Sequence, residues 1–176
     1  MILVDKSEDA LKEKDARIKQ LETSLNQIEQ YSRYNNLEVH GIPLQKDEDL
    51  LTVLNVWGTK LNITPLTSDN VEVVHRLPAK PEVIKPILIR FKDRAVRDTW
   101  LAARKVLKSY QVPDGPPMFI CENLTSKNKY LLWQTRQQAK DKGYAHVWTW
   151  KGKIFIKKDD NSKRIRIEHI DDLRGL

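Results

Sequence analysis

Residues 85–108 read KPILIRFKDRAVRDTWLAARKVLK, and two periodicities meet within them. Ile87, Leu88, Ile89 and Phe91 make a β-branched, apolar run of strand length. From Asp93 the spacing changes. Val96, Trp100, Ala103 and Leu107 recur at i, i+4, i+7 and i+11, one stripe of a helix. Arg97, Arg104 and Lys108 make a second stripe, and that one is basic. A strand feeding straight into an amphipathic helix needs further elements on both sides to bury it. A basic stripe calls for a polyanion.

On the N-terminal side, Val71–Leu77 reads as a strand closed by Pro78, and a loop with Pro78, Pro81 and Pro86 leads onward. Leu50, Leu51, Leu54, Trp57 and Leu61 form the apolar face of a helix over residues 47–61. Leu37–Ile42 (LEVHGI) is a short strand stopped by Gly41 and Pro43. On the C-terminal side, QVPDGPP (111–117) is a connector and Met118–Cys121 a further strand. The predicted order is β-α-β-β-α-β, with two helices on one sheet face and the other face free.

Residues 5–34 contain no glycine or proline and read as one helix. Leu11, Ile18 and Leu25 are spaced by seven, with Leu21 and Ile28 three further on, an a/d seam. The seam predicts a short coiled coil, dimer or trimer; a lone amphipathic helix packed on the following domain is the alternative. After Leu124, Thr125 is an N-cap for a helix ending before Gly143. Two short strands flank Lys151-Gly152, a polar turn spans Asp159–Ser162, Arg164–Ile167 is a third strand, and Ile170–Leu176 suits one helical turn. The fold class is thus α+β: a coiled coil over 1–35, a β-α-β-β-α-β domain over 36–122 and a small α+β domain over 123–176.

Of the 176 residues 40% are hydrophobic, enough for one modest core or two small ones. The formal charge of +7 is unevenly spread: residues 1–36 carry net −1, residues 37–75 net −4 and residues 76–176 net +12. An acidic partner is expected at the C-terminal part. Cys121 is the single cysteine, so no internal disulfide forms and a secreted framework is not expected. The apolar start Met1–Val4 is too short for a signal peptide or a membrane span. The cytosol, the nucleus or both are the expected compartments.

Catalysis has no support. His40, His75, His146 and His169 have no Cys or carboxylate at metal-ligand spacing, and neither a phosphate loop nor a nucleophile motif occurs. No enzyme activity, metal, cofactor, small-molecule substrate or membrane partner is expected. The β-α-β-β-α-β order is that of the RNA-recognition motif (RRM), whose strand aromatics stack bases. Pro86, Leu88 and Glu38 stand where its rings would, so the domain is RRM-like but degenerate. Binding there would lean on Arg76, Lys80, Lys85, Arg90, Arg97, Arg104 and Lys108. In the helix after Thr125, Lys129, Trp133, Arg136 and Lys140 share a stripe, while Leu131, Leu132, Thr135 and Ala139 face a core. Trp133 belongs either to that core or to a binding face.

A two-residue turn at Lys151-Gly152 sets Trp150 opposite Lys153, Trp148 opposite Phe155 and His146 opposite Lys157. Val147, Thr149, Ile154 and Ile156 then line the other face, extended by Ile165 and Ile167, and Arg164 and Arg166 join the tryptophans. Stacking rings amid cations are what single-stranded nucleic acid needs. A one-residue slip would swap the faces, and a helix over the tryptophans would make them core.

The pieces YSRYNNLEVHGIP, HRLP, ILIRF, VRDTWLAARK, ICENLTSKNKYLLWQTRQQAK, GYAHVWTWKGKIFIKK and IRI follow in order over residues 30–170. Together they resemble the baculovirus few-polyhedra (FP) protein domain and its relatives in the first-open-reading-frame proteins of insect LINE retrotransposons. The layout is similar, more distantly, to the mammalian LINE first-frame protein. The resemblance implies a self-associating, single-strand-preferring RNA-binding protein with nucleic-acid chaperone activity. Such a protein coats its encoding transcript into a cytoplasmic ribonucleoprotein particle. It also implies RNA contacts at Arg104 in LAARK and Arg136 after ENLT. The zinc knuckles or PHD-type finger of some relatives do not occur in these residues. The expectation is sequence-tolerant binding of single-stranded RNA or DNA, with both domains closing on the strand. A viral-type structural or interaction protein is the alternative.

Overall fold

Three helices begin by one device. Asp49, Asp93 and Thr125 sit in extended backbone and accept a hydrogen bond from Leu51 N, Ala95 N and Asn128 N. Each thereby satisfies one of the backbone donors that a first helical turn leaves unpaired. The structure, a computed structural model, describes residues 2–110 and 114–176, except the side chains of residues 2–5 and 108. Its elements are mixed α and β, with a long N-terminal helix and antiparallel sheets. In chain order they are α1 (Ile2–Ser32), β1 (Asn36–His40), α2 (Leu50–Lys60), β2 (Val71–Arg76), β3 (Ile87–Phe91), α3 (Arg94–Ala102), α4 (Arg104–Leu107), β4 (Phe119–Glu122), α5 (Ser126–Lys142), β5 (His146–Trp150), β6 (Lys153–Lys157) and β7 (Ile165–Ile167). The predicted helix over 93–108 is therefore two pieces, interrupted at Ala103. The chain divides into one unit of residues 34–123 and another of residues 1–33 with 124–176.

In the unit of residues 34–123, four strands run in the order β2-β3-β1-β4, every pair antiparallel. Period-two alternation sends Leu37, Val39, Ile87, Ile89, Phe91 and Ile120 to one face. There they pack with Leu54 of α2, Trp100 of α3 and Leu107 of α4. Trp100 is 1% exposed, and its ring passes 3.3 Å from where a Cβ on Gly58 would stand, so a small residue at 58 admits the indole. Burial of such a side chain contributes about 1.5–3 kcal/mol. The predicted stripe Val96, Trp100, Ala103 and Leu107 is the buried one despite the break at Ala103. The opposite sheet face is not wholly free: Asn36 and Glu38 at its centre are 8% and 2% exposed. Asn123, just past β4, lays its amide on both. Its Nδ2 donates to Glu38 Oε1 at 2.6 Å, and Asn36 Nδ2 donates to Asn123 Oδ1 at 3.2 Å.

In the other unit, β5, β6 and β7 form an antiparallel sheet in that order. Leu131, Thr135 and Ala139 of α5 are buried toward it, and the core also holds Ile154, Ile156, Ile167 and Leu173. Gly143 ends α5 in the left-handed conformation. The final turns of α1 belong to this unit through polar contacts. Thr125 Oγ1 donates to Asn26 Oδ1 at 2.7 Å, Thr125 N and Asn128 Nδ2 both donate to Gln30 Oε1, and Arg33 Nη1 donates to Leu124 O at 3.1 Å. Asn26, Gln30 and Arg33 lie at i, i+4 and i+7, one face of the helix.

Candidate nucleic-acid interface

The hairpin β5–β6 turns at Lys151 and Gly152, with φ of 51° and 72°. Two successive positive φ values match the right-handed twist of the flanking strands. The turn sets the pairing His146↔Lys157, Val147↔Ile156, Trp148↔Phe155, Thr149↔Ile154 and Trp150↔Lys153. This is the predicted register, and β7 adds Arg166 opposite Phe155. Ile154 and Ile156 go to the face that α5 covers. The tryptophans go to the other. Trp148 stacks on Phe155 at 5.7 Å between centroids, Arg164 lies over Phe155 at 5.1 Å and Lys151 over Trp150 at 4.8 Å. Trp150 is 49% exposed and Lys153 is exposed beside it.

The cations on this face differ in what they can offer. Arg166 is paired with Glu168 at 2.7 Å. Lys157 donates to the Asp160 carbonyl, and His146 meets the Asp160 carboxylate at 3.0 Å. Lys153 and Arg164 are exposed. Chemically, the face offers indoles for stacking and flanking charge for phosphate.

On α5, Lys129, Trp133, Arg136 and Lys140 are exposed, and Trp133 stands outside the core, 6.1 Å from the Tyr130 ring. The helix lies on the aliphatic sheet face, so its outward stripe and the hairpin tryptophans look away from each other.

Several predicted residues in the unit of residues 34–123 are committed to the fold instead. Arg76 donates to Glu48 through Nε and Nη2, both at 2.8 Å, and to the carbonyls of Ile42, Lys85 and Pro43. The Arg76 hydrogen bond holds the Glu48 carboxyl below its ordinary value, against the desolvation that pushes it up. Arg97, predicted on the open basic stripe, is 3% exposed. It reaches Glu122 at 3.1 Å and Asp98 at 2.7 Å, and its guanidinium lies over the Tyr34 ring. The reason is position: Arg97 is three residues before the buried Trp100 and turns inward with it, toward β4. Arg90 is half-exposed and paired with Glu72 at 3.0 Å. Lys80 and Lys85 are exposed in the loop before β3, and Arg104 is half-buried. The side chain of Lys108 lies outside the described ones, as do Gln111, Val112 and Pro113 of the predicted connector.

Two features of the sequence read differently in three dimensions. The seam residues Leu11, Ile18, Leu21, Leu25 and Ile28 of α1 are 53–68% exposed in the single chain. The histidines do not all lack metal-ligating neighbours. Antiparallel pairing of Glu38 with Cys121 brings Glu38, His40 and Cys121 together. Spacing along the chain hid this, because Cys121 is 81 residues from His40. His40 also stacks on Phe119 at 4.3 Å, a ring pair that the predicted aromatic positions omitted.

The β5–β7 sheet with α5 across one face lies within the residues that a family model matches. Residues 125–176 match Baculovirus FP protein domain 2. The matched segment spans α5, the hairpin with its tryptophans, β7 and the last helical turn. No curated protein matches the chain.

Proposed function

We propose that this protein binds single-stranded RNA, and DNA of the same kind, with little sequence preference, and self-associates through α1. The observation that carries the reading is the two-faced hairpin. One face is packed under α5 while the other offers Trp148 and Trp150 among Lys153, Arg164 and Arg166. The net +12 of residues 76–176 supplies the backbone attraction. We read the four-stranded sheet as a degenerate RRM-like platform, supported by its strand order β2-β3-β1-β4, with its cations secondary to the hairpin. The exposed heptads of α1 support a coiled coil, since an uncovered seam of five large apolar residues gains by association. In this reading the protein is a nucleic-acid chaperone that packages a LINE-type retrotransposon transcript into cytoplasmic ribonucleoprotein particles.

A filter-binding salt series on the whole chain with single-stranded RNA tests the proposal. Affinity that falls steeply with salt is expected. Absence of binding at low salt would overturn it. A second reading follows from the match of residues 125–176 to a baculovirus protein domain: a viral-type structural or interaction protein without a nucleic-acid role. Association through α1 in a protein that retains no RNA affinity would favour that second reading.

A further inference from the structure

We propose that Glu38, His40 and Cys121 form a divalent-metal site, of the kind zinc takes, on the four-stranded sheet. The register of β1 against β4 brings the ligands together. Glu38 and His40 are two residues apart on β1 and so share a face. Cys121 pairs directly with Glu38, which puts it on that face as well. His40 pairs with Phe119, the neighbour of Cys121 on the same face of β4. The candidate ligand atoms all lie within 4.8 Å of one another, and His40 Nε2 is 2.9 Å from Glu38 Oε2. Tetrahedral zinc holds such atoms about 3.3–3.6 Å apart.

The surroundings orient the ligands as metal sites require. Asn123 Nδ2 donates to Glu38 Oε1 and Asn36 holds Asn123 in turn, which leaves Oε2 turned toward His40. The Phe119 ring, stacked on His40 with 9° between planes, sets the imidazole plane. Glu38 is buried, while His40 and Cys121 are partly exposed, which keeps a path for the ion from solvent. The donor set decides the metal. One thiolate, one imidazole and one carboxylate suit zinc, and do not suit magnesium or calcium, which take oxygen ligands. Three protein ligands leave a fourth position for water. Binding releases the Cys121 thiol proton to solvent, so affinity rises with pH.

Because Cys121 is the only cysteine, thiol chemistry on the intact chain reports on this site alone. Metal-free protein is titrated with Co2+ and then Zn2+. The expected result is one cobalt per chain with a near-ultraviolet thiolate-to-cobalt charge-transfer band, its displacement by zinc, and slower alkylation of Cys121 when zinc is bound. Cys121→Ser removes the charge-transfer band, and His40→Gln weakens zinc binding by more than about 10-fold. Circular dichroism checks that both variants remain folded. If cobalt gives no thiolate band, or if zinc leaves alkylation unchanged, the three side chains form only a hydrogen-bonded cluster and the proposal is wrong.

Discussion

Arg76 occupies a place where one side chain closes several gaps. Its guanidinium satisfies Glu48 and three backbone carbonyls. Both partners of the ion pair have side chains only 10% exposed. Arg76→Ala strands a carboxylate and those carbonyls, and is expected to cost about 3 kcal/mol in urea denaturation. Glu48 also shapes the acid limb. Its pKa is lowered in the fold, so its contribution is complete above the ordinary glutamate value and is lost as pH falls through the lowered one. Glu48→Gln should flatten that part of the stability–pH curve. At the hairpin, Trp150→Ala is expected to weaken RNA binding by about 1–3 kcal/mol, roughly 5- to 150-fold, in a filter-binding titration. Trp133→Ala tests whether the outward stripe of α5 contributes. Since that stripe looks away from the hairpin, its loss should add to the Trp150 effect without coupling to it.

Among the elements, the hairpin shows most directly how local chemistry sets a surface. Lys151-Gly152 fixes the turn, the turn fixes the register, and period two then assigns every side chain to a face. Gly152 has a second role. A Cβ there would meet Gln30 Cγ of α1 at 2.5 Å. Gly152→Ala is therefore expected to cost about 2 kcal/mol in thermal or urea unfolding, and less in a Gln30→Ala background, where only the positive φ is penalised. For α1, the seam side chains are exposed in the single chain. Leu25→Asp with Ile28→Asp should abolish oligomers by light scattering while leaving the melting of the monomer nearly unchanged. Loss of the monomer fold instead would mean that these residues pack within one chain.

At the scale of the whole molecule, charge is the governing quantity. The acidic excess of residues 37–75 and the basic excess of residues 76–176 divide the chain. Single-stranded nucleic acid affinity is expected to fall log-linearly with salt, with a slope of about 0.7 for each phosphate neutralised. Arg76 and Arg97 are spent on Glu48 and on Glu122 with Asp98, so their removal should leave that slope unchanged in any variant that stays folded. Lys153→Ala and Arg164→Ala should lower it.

Much of this was legible in the residues. The cap at Thr125, the stripe through Trp100 and the faces of the hairpin all depend on interactions a few residues apart, where periodicity and turn chemistry decide. Other features depend on partners distant along the chain. Arg97 looked like part of a basic surface until β4 brought Glu122 to it. Asn26 and Gln30 gain their partners Thr125 and Asn128 only in three dimensions. His40 looked unaccompanied until strand pairing put Cys121 beside Glu38. The sequence by itself determined the order of helices and strands and which side of each is apolar, though not the break at Ala103, because 3.6- and 2-residue periods act within one element. Only the tertiary structure decided which charges are spent and which ligands converge, because burial and pairing across strands are set by packing between elements.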